Sequence, residues 1–342
     1  MILFRADGNS EIGTGHVMRC LSIADAFKRN GEDSVFVLAD NSMKRIIEER
    51  GYTVSVLNTD FRNMSEDQEQ TIALISKTNA CILFVDSYYV NTEYLSELKK
   101  KVKLVYIDDL AAFAYPVDVL INYNIYADSL DYKALYEFHN EKLPKLLLGT
   151  DYVPLRSMFC SVPPKKINET VKDVLISTGG ADPVHLAVDL IKAIISDDKM
   201  NGITFHFLIG AMNPDKHEIK KLADKIENIV LHSNVSDMKS LICSCDIAVS
   251  AAGSTLYEIC ACGVPLITYV LADNQIEGAN AFERKGLAVN CGDIRSETFS
   301  ASLLFDEIRN LSQNLELRLA IHNNMTLFFN GEGSNRIVEF TL

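Results

Sequence analysis

The chain has 342 residues, 48% of them hydrophobic, and its 33 lysines and arginines against 46 aspartates and glutamates give a net charge of −13. This length is typical of two domains. The acidic balance argues against a general nucleic-acid-binding protein, because a duplex requires a basic face. It still allows one anionic small molecule held by backbone N–H groups.

The N-terminal segment MILFRADGNS is predicted to be a first strand rather than a signal peptide, because Arg5 and Asp7 interrupt its apolar start. No run of 18 apolar residues is present, so no membrane span is expected. The cysteines include two C-x-C pairs, Cys243/Cys245 and Cys260/Cys262, rather than the C-x-x-C spacing of zinc ribbons. We expect reduced thiols, no metal and no cofactor in a cytoplasmic protein; the sequence leaves the oligomeric state open and is compatible with a monomer.

Strands and helices alternate along the first half of the chain. The predicted strands are MILFRA, DSVFVLA, TVSVL, CILFVDS, KLVYIDD and VDVLINYN, and the predicted helices are Gly15 to Arg29, SMKRIIEERG, SEDQEQTIALISKT with Ser65 as its cap, and NTEYLSELKK. Such a βαβ series predicts a parallel sheet with helices on both faces. We assign residues 1–155 to an N-terminal Rossmann-like domain.

A proline-containing stretch, LGTDYVPLRSMFCSVPPKKINET, is interpreted as the crossover between domains. The pattern then restarts with the strands KDVLIST, ITFHFLIG, NIVLHS, DIAVSA and PLITYVL and the helices HLAVDLIKAIIS, DKHEIKKLADKI, DMKSLICSC and STLYEICACG. Residues 156–330 are therefore predicted to form a second doubly wound domain, followed by a helix start in residues 331–342. Because ligands of open α/β sheets bind outside the carboxyl ends of the strands, we expect both domains to present those ends to a shared cleft.

A glycine-containing loop, Gly13-Thr14-Gly15, runs directly into His16 and the first helix. Glycines allow a ligand close to the backbone, and a helix N-terminus favours negative charge. The same potential disfavours imidazolium, so His16 is expected to be neutral near pH 7 and able to accept a proton. The spacing is not the G-x-G-x-x-G of dinucleotide-binding proteins, because position 18 is Met. The alternative is a histidine that only hydrogen-bonds its own loop.

In the second half, Thr178, Gly179 and Gly180 join a strand to a helix. Their backbone N–H groups and the threonine hydroxyl suit a diphosphate. The alternative is a plain tight turn with Asp182 as the helix cap and Pro183 at the first helical position.

Gly253, Ser254 and Thr255 form a similar loop, in which either hydroxyl can cap the next helix and donate to a phosphate. Glu258 follows about one turn later. Its carboxylate can accept hydrogen bonds from two vicinal ribose hydroxyls. The alternative is a glutamate that interacts only with the helix dipole or forms a capping box.

Polar residues also follow three other strands. The segment ADNQ (272–275) offers neutral donors and acceptors, and Asn274 can position a water or a sugar amide. In the first half, Asp86, Ser87 and Tyr88 end one strand, and Asp108 and Asp109 end the next. Because no third ligand with defined spacing accompanies Asp108 and Asp109, capping and turn roles are favoured for them over a metal site.

These residues together resemble a known family. RADGNSEIGTGHVMRCLSIADAF (5–27) is similar to the opening of the PseG-type nucleotide-sugar hydrolases of pseudaminic acid biosynthesis, and the related SpsG spore-coat polysaccharide proteins start similarly. AAGSTLYEICACGVP, followed by LADNQ, resembles the nucleotide-binding half of that family, which is similar to the glycosyltransferase MurG. The resemblance implies an α/β GT-B architecture: two Rossmann-like doubly wound parallel-sheet domains facing a central cleft, with UDP held mainly by the C-terminal one. It also implies that residues 331–342 pack back on the N-terminal domain.

The activity implied by the resemblance is hydrolysis of UDP-2,4-diacetamido-2,4,6-trideoxy-β-L-altropyranose to UDP and free sugar, with inversion, in the pathway that supports flagellin glycosylation. His16 would activate the water, Tyr88 and Asn274 would complete the catalytic set, and Glu258 would hold the ribose. The implied substrate-binding residues are Gly13, Gly15, Thr178, Gly179, Gly180, Gly253, Ser254, Thr255, Glu258 and Gln275. The implied partners are a UDP-sugar and UDP, without nucleic acid.

Two other functions stay open. One is a MurG- or SpsG-like GT-B glycosyltransferase that passes the sugar of a UDP-sugar to an acceptor in surface polysaccharide synthesis. The other is a nucleotide-sugar-binding partner without catalysis. No basic, apolar amphipathic stretch suited to a membrane surface stands out, which counts against a lipid acceptor. Replacement of His16 discriminates, since only an enzyme would lose turnover while keeping UDP binding.

Overall fold

The computed structural model describes residues 1–9, 11–196, 200, 202–210, 212–296 and 299–342. The chain divides into two units. Unit 1 comprises Met1–Ser157 and Gly331–Leu342, and unit 2 comprises Met158–Asn330. The first boundary thus falls at Ser157, against residue 155 in the sequence-based division.

Parallel strands form the sheet of unit 1. They are β1 (Ile2–Ala6), β2 (Ser34–Leu38), β3 (Thr53–Val56), β4 (Ile82–Asp86), β5 (Lys103–Ile107), β6 (Val119–Asn122) and β7 (Lys145–Leu148). Their order is β3-β2-β1-β4-β5-β6-β7, with Phe4 of β1 in register with Phe36 of β2 and Phe84 of β4. β1 and β4 are buried along their whole length, which explains their nearly continuous apolar sequences.

The helices of unit 1 that precede unit 2 are α1 (Gly15–Arg29), α2 (Lys44–Glu49), α3 (Gln68–Thr78), α4 (Thr92–Lys99) and α5 (Tyr132–Phe138). α1 buries Val17, Leu21 and Phe27, which recur at helical spacing. Lys28 and Arg29 lie in its last turn, where positive charge is favourable.

Four phenylalanines anchor α1 to the sheet. The ring of Phe4 stacks on Phe36 at 5.1 Å and on Phe84 at 4.8 Å, and Phe27 of α1 meets Phe84 edge-on at 5.6 Å. All four side chains are fully buried. Burial of each ring contributes roughly 1.5–3 kcal/mol, so the last turns of α1 are held firmly on the sheet.

The start of α3 differs from the prediction. A 3₁₀ turn (Met64–Glu66) contains Ser65, and the α-helix begins only at Gln68, so Ser65 does not cap it. The preceding residue, Asp67, is fully buried and accepts a hydrogen bond from Arg5 Nε at 2.8 Å. This long-range ion pair fixes the helix start and overrides the local capping signal.

Unit 2 contains a second parallel sheet, formed by β8 (Asp173–Ser177), β9 (Thr204–Leu208), β10 (Ile229–His232), β11 (Ile247–Ala251), β12 (Leu266–Val270) and β13 (Val289–Asp293). Their order is β10-β9-β8-β11-β12-β13. The helices are α6 (Leu186–Ser196), α7 (Lys216–Ala223), α8 (Met238–Ser244), α9 (Thr255–Ala261), α10 (Ile276–Arg284), α11 (Ala301–Gln313) and α12 (Leu315–Phe328). Two doubly wound parallel sheets confirm the predicted α/β fold class.

Both sheets reverse their winding direction once. In unit 1 the reversal lies between β1 and β4, and in unit 2 it lies between β8 and β11. At such switch points the loops at the carboxyl ends of neighbouring strands diverge and leave room for a ligand. His16, Tyr88 and the loops at 178–180 and 253–255 follow these four strands, whereas Asn274 and Gln275 follow β12.

Five helices and strands of the described chain were not predicted: α5, β7, β13, α11 and α12. β13 is a half-buried edge strand with an irregular register against β12 and a glycine at position 292, so it lacks the apolar run of the central strands. β7 has only four residues. The predicted crossover, by contrast, contains only the two 3₁₀ turns Thr150–Tyr152 and Ser157–Phe159.

The last helix, α13 (Gly333–Thr341), belongs to unit 1 and packs on α1. Arg29 at the end of α1 donates to Asn335 at 2.9 Å, and the Ser334 hydroxyl donates to the Leu155 carbonyl at 3.0 Å. Gly333 lies so close to Val153 that a Cβ would be 2.1 Å from its carbonyl oxygen. None of the described helices is both long and apolar enough to cross a bilayer.

Candidate active site

His16 and Asp86 meet at the switch point of unit 1. His16 lies in the first turn of α1, directly after the loop that leaves β1, and Asp86 is the last residue of β4. The Nδ1 atom of His16 lies 2.5 Å from Asp86 Oδ1, and the two side chains are 8% and 0% exposed. The loop after β1 and the end of β4 thus bring a base and a carboxylate together from positions 70 residues apart.

The Asp86 contact determines the tautomer of His16. An ionised carboxylate has no proton to donate, so neutral His16 carries its proton on Nδ1 and donates it to Asp86. The lone pair is then on Nε2, for which the described residues provide no hydrogen-bond partner. This arrangement leaves Nε2 able to accept a proton from a ligand or water.

Arg19 keeps Asp86 ionised. It lies one turn after His16 on α1, and its Nε and Nη2 atoms donate to Asp86 Oδ2 and Oδ1, each at 2.5 Å. Burial raises the pKa of the Asp86 carboxyl, but Arg19 and His16 together outweigh it and lower that pKa below the usual aspartate value. Asp86 is therefore an acceptor at neutral pH.

Tyr88 stands beside the imidazole. Its ring meets the His16 ring edge-on at 4.8 Å and an interplanar angle of 78°. Its hydroxyl donates to Asp109 Oδ2 at 2.8 Å, and the Asn124 amide donates to Asp109 Oδ1 at 2.9 Å. Asp109 thus fixes the tyrosine next to the base, through loops that follow β4, β5 and β6.

A small recess opens in front of these groups. It is lined by Asp7, Ile12, His16, Phe61, Asp86, Ser87, Tyr88 and Tyr89. Phe61 and Tyr89 form an edge-to-face pair at 5.6 Å, so one wall is aromatic. Gly13, with a φ of +75°, and Gly15 border the same loop, and a Cβ at either position would meet nothing within 4 Å. Only Gly13 has a backbone conformation that requires glycine, and the space beside both glycines is open.

The two aspartates after β5 have different roles. Asp108 accepts hydrogen bonds from the backbone of Leu110 and Ala111, each at 2.9 Å, as its predicted turn role requires. The turn role predicted for Asp109 is wrong, because its carboxylate binds side chains instead: Arg19 at 3.0 Å, Tyr88 and Asn124. Arg19 and Tyr88 donate to this carboxylate from 90 and 21 residues away in the sequence, so no local sequence pattern reveals them as partners.

In unit 2, the loop Thr178-Gly179-Gly180 follows β8. Thr178 is 1% exposed, whereas Gly179 is half-buried and Gly180 exposed. The backbone of Gly210, which follows β9, packs closely against this loop: a Cβ at Gly210 would lie 2.2 Å from the Gly180 carbonyl oxygen. Backbone of Gly179 and Gly180, rather than the Thr178 hydroxyl, is what this loop presents to a ligand.

The start of α6 differs from the predicted turn. Pro183 is not the first helical residue, because the helix begins at Leu186 after Asp182 and His185, both of positive φ. Asp182 does cap the helix: its carboxylate accepts the N–H groups of Leu186 and Ala187, each at 2.9 Å. Those N–H groups are therefore already occupied, and an anion at this loop would meet the glycine backbone instead.

The loop after β11 carries Gly253, Ser254 and Thr255. α9 begins at Thr255, and the Ser254 side chain makes no capping hydrogen bond, in contrast to the expected cap. Its hydroxyl is exposed instead. Glu258 lies half-buried in the first turn of the helix. The side chains of Ser254, Thr255 and Glu258 thus lie between the end of β11 and the first turn of α9.

Gln275 joins this loop to the one after β12. Its Oε1 accepts the Leu271 N–H at 2.9 Å, and its Nε2 lies 3.9 Å from the position of a Cβ at Gly253. Asn274 is exposed in the same 3₁₀ turn. Arg295, which sequence reasoning missed, lies two residues after β13 and donates to Asp273 of that turn at 2.7 Å. The loops after β8, β11 and β12 therefore converge at the switch point of unit 2.

All eight cysteines are free thiols. Within the described ranges, no group of three or more histidine, cysteine, aspartate or glutamate residues is arranged to hold a metal ion. Each unit thus carries its own set of candidate groups: unit 1 the base, carboxylate and tyrosine, and unit 2 the glycine and hydroxyl loops.

Comparison with known proteins shows which proteins this chain is similar to. A protein named UDP-2,4-diacetamido-2,4,6-trideoxy-beta-L-altropyranose hydrolase, from Campylobacter jejuni, is 27% identical over 84% of this chain and 98% of its own length. Spore coat polysaccharide biosynthesis protein SpsG of Bacillus subtilis is 23% identical over 97% of this chain and 95% of its own length. The chain is a homologue of the PseG-type hydrolases and of SpsG. It spans only about half, 55%, of a relative from Methanocaldococcus jannaschii to which it is 23% identical.

The domain and fold comparisons agree with this relationship. Residues 174–330 match the family described as the glycosyltransferase family 28 C-terminal domain. The crystal structure of MurG from Acinetobacter baumannii aligns over 99% of this chain and 98% of its own, with a TM-score of 0.70 and 13% identity. The Staphylococcus aureus structure described as an MnaA-UDP complex aligns over 98% of this chain and 94% of its own, with a TM-score of 0.65 and 12% identity. The predicted GT-B fold class and the resemblance are confirmed, and the chain is related to enzymes of nucleotide-sugar chemistry.

Proposed function

We propose that the protein hydrolyses a UDP-linked 2,4-diacetamido-2,4,6-trideoxy sugar, UDP-2,4-diacetamido-2,4,6-trideoxy-β-L-altropyranose, to UDP and the free sugar. The observation that carries the proposal is the His16–Asp86 pair, whose 2.5 Å contact leaves a basic Nε2 beside a recess. The name of the 27% identical relative supplies the substrate. The step belongs to pseudaminic acid biosynthesis in the cytoplasm.

In the proposed reaction, water attacks the anomeric carbon and the bond from that carbon to the β-phosphate oxygen breaks. Nε2 of His16 accepts a proton from the attacking water, and UDP leaves with the electron pair. The configuration at the anomeric carbon is inverted. Asp86 accepts the hydrogen bond from Nδ1–H of His16 throughout and stabilises the imidazolium that forms. The aspartate of a Ser-His-Asp triad has the same role.

The loops of unit 2 are proposed to hold the UDP. Negative charge develops on the diphosphate as the bond breaks, and backbone N–H groups stabilise it without reorganisation. Gly179 and Gly180, with the hydroxyls of Ser254 and Thr255, are the groups we assign to the diphosphate; the occupied start of α6 removes that helix end from the assignment. Glu258 is assigned to the ribose hydroxyls, as its place in the first turn of α9 allows.

Tyr88 and Asn274 are assigned to the sugar. Tyr88 lies against His16 through its ring and is anchored by its hydroxyl, so it can position a sugar substituent without moving. Asn274 is exposed at the loop that Gln275 ties to Gly253. The recess wall of Phe61, Tyr89 and Ile12 offers apolar surface to the methyl groups of a deoxygenated, acetylated sugar.

A glycosyltransferase is the second candidate, since residues 174–330 match a glycosyltransferase domain and MurG shares the fold. A glycosyltransferase requires an acceptor molecule for the sugar, which a hydrolase does not. A binding protein without catalysis would show no turnover, in the wild type or in any variant.

Proton NMR of the purified protein with the UDP-sugar, without any acceptor, tests the proposal. We expect free sugar and UDP, with the first-formed sugar anomer inverted. The His16→Ala variant is expected to lose turnover while UDP still raises its melting temperature. Intact substrate with thermal protection by UDP would overturn hydrolysis and favour transfer, whereas unchanged turnover in His16→Ala would overturn the role of the base. Glu258→Ala weakens UDP binding under every candidate function and serves only to locate the nucleotide.

A further inference from the structure

One guanidinium joins the two carboxylates behind the candidate base. Arg19 uses Nε and Nη2 for Asp86 and Nη1 for Asp109, at 3.0 and 3.2 Å to its two carboxylate oxygens. Nη1 also donates to the Tyr123 hydroxyl at 2.7 Å. The side chain is 8% exposed, so these contacts are made largely out of water. A planar, always-charged fork is the only side chain that supplies this many donors at once.

Arg19 also lies close to the imidazole. Its Nη2 is 3.2 Å from His16 Nδ1, and the same Nη2 donates to Asp86 Oδ1, the oxygen that His16 Nδ1 contacts. The charged and titratable groups around His16 are Arg19 and Cys20 on α1, Asp7 after β1 with its partner Arg5, Asp86 on β4, Tyr88 after β4 and Asp109 after β5. Asp7 is compensated by Arg5, to which it is hydrogen-bonded at 2.5 Å, so Arg19 is the cation that compensates Asp86.

These charges decide whether His16 is a base. A buried carboxylate requires a cation, and in this part of the described structure two groups can supply one: the guanidinium of Arg19 and an imidazolium at His16. While Arg19 pairs with Asp86, its positive charge offsets the attraction of that carboxylate for an imidazolium at His16. Without Arg19, the Asp86 carboxylate stabilises the imidazolium, and a protonated His16 cannot accept a proton from water.

We infer that Arg19 is a positioning residue that keeps His16 unprotonated through Asp86 and holds Tyr88 in place through Asp109. The catalytic part of this inference rests on the proposed function, but the effect on the charge of His16 does not. The Tyr88 hydroxyl, Asp109, Arg19, Asp86 and His16 form one uninterrupted chain of hydrogen bonds. Base and tyrosine are thereby one unit, and loss of the guanidinium disorders both.

The charge effect is tested on the free protein, without substrate. Imidazole ¹H–¹⁵N spectra are recorded across pH for the wild type and for Arg19→Met, with the His16 signals assigned from His16→Asn. The midpoint of His16 protonation is expected to be higher in Arg19→Met by about 1–3 pH units, the usual effect of one charge at this distance. Arg19→Lys, which keeps the charge, is expected to stay close to the wild type. Equal midpoints in the wild type and Arg19→Met would overturn the inference.

A matched control is an arginine that pairs with another aspartate of α1. Arg50, at the end of α2, pairs with Asp25 of α1 at 3.2 Å, and both side chains are 28% exposed. Arg50→Met also removes one positive charge from an aspartate of α1 and is expected to leave the His16 midpoint unchanged. If Arg19→Met does not fold, Asp109→Asn gives the opposite test: loss of that negative charge is expected to lower the midpoint, and a rise would contradict the charge balance.

The positioning effect is tested by turnover of the UDP-sugar across pH. In Arg19→Met, the acid limb of kcat/KM is expected to move to higher pH, and kcat on the plateau is expected to fall with little change in KM. Arg19→Lys is expected to keep the acid limb and lose plateau kcat, because one ammonium cannot hold Asp86 and Asp109 together. A uniform loss without a shifted limb would indicate a merely structural residue. If the wild type shows no turnover, the proposed hydrolysis fails, while the imidazole spectra still decide the charge effect.

Discussion

Asp86→Asn probes the candidate site most directly. Asp86 accepts three hydrogen bonds of 2.5 Å, one from His16 and two from Arg19, and is 1% exposed. An asparagine has one acceptor oxygen, and its NH₂ group must face either the imidazole or the guanidinium, both of which are donors. Breaking a buried pair in this way costs about 3–5 kcal/mol, and the low end applies because Arg19 keeps Asp109 and Tyr123.

The expected results follow from these contacts. A loss near 3 kcal/mol is expected to lower the melting temperature by about 6–12 °C, given roughly 2–4 °C per kcal/mol for a unit of this size. Turnover of the UDP-sugar is expected to fall by about 10⁴-fold, as when the aspartate of a Ser-His-Asp triad becomes asparagine, because His16 loses its Nδ1–H acceptor. Calorimetry and an assay of released UDP measure the two effects.

The control is Asp25→Asn on α1, the helix that carries His16; it alters a partly exposed pair with Arg50 and a Tyr52 hydroxyl contact at 2.6 Å. Its cost is expected to be about 1 kcal/mol, without an effect on turnover. Equal melting temperatures for Asp86→Asn and the wild type, with turnover within a factor of ten, would refute the assignment of Asp86 as the orienting carboxylate.

Three further predictions concern stability and binding. The pKa of Asp86 is lower in the folded protein than in the unfolded chain, so ionised Asp86 stabilises the fold fully above about pH 4 and loses this effect as the pH falls through the folded-state pKa. The difference in melting temperature between wild type and Asp86→Asn is therefore expected to narrow below about pH 4. A difference that does not change with pH would contradict this. Gly210→Ala places a Cβ 2.2 Å from the Gly180 carbonyl oxygen and is expected to cost about 1–3 kcal/mol and to weaken UDP binding in calorimetry. Unchanged stability and unchanged UDP affinity would show that the loop at 179–180 is not fixed by Gly210. Gly333→Ala, 2.1 Å from the Val153 carbonyl oxygen, is expected to lower the melting temperature by a similar free energy and to leave the UDP affinity of unit 2 unaltered; a weakened UDP affinity would count against that separation.

The order of strands and helices was largely predictable, and the reasons are physical. β1 and β4 are buried on both faces and therefore read as apolar runs, and α1 combines a glycine loop, a helical apolar pattern and a basic last turn. The edge strand β13 is half-buried and irregular, so its sequence lacks either pattern. Capping signals failed where distant side chains intervened, as at Asp67, which Arg5 holds from β1.

The candidate site was only partly predictable. His16 and the glycine loops are local features at strand ends, and a sequence shows them. The partners of His16 come from 70 residues away in Asp86 and from one turn away in Arg19. The His16–Arg19 spacing of three residues on one helix face was the available signal, since such side chains are neighbours. Asp109 carried no local signal, because its partners Arg19 and Asn124 are brought to it only by the sheet.

The return of α13 to unit 1 has a consequence for synthesis of the chain. Residues 331–342 complete unit 1, yet they follow the whole of unit 2. The face of α1 that receives α13, including Arg29, is therefore uncovered on the ribosome until unit 2 has been translated. Closure of such a long loop is slow relative to local contacts. Unit 2 can fold as one continuous segment, whereas the unit that carries His16 is finished last, although most of it emerges first.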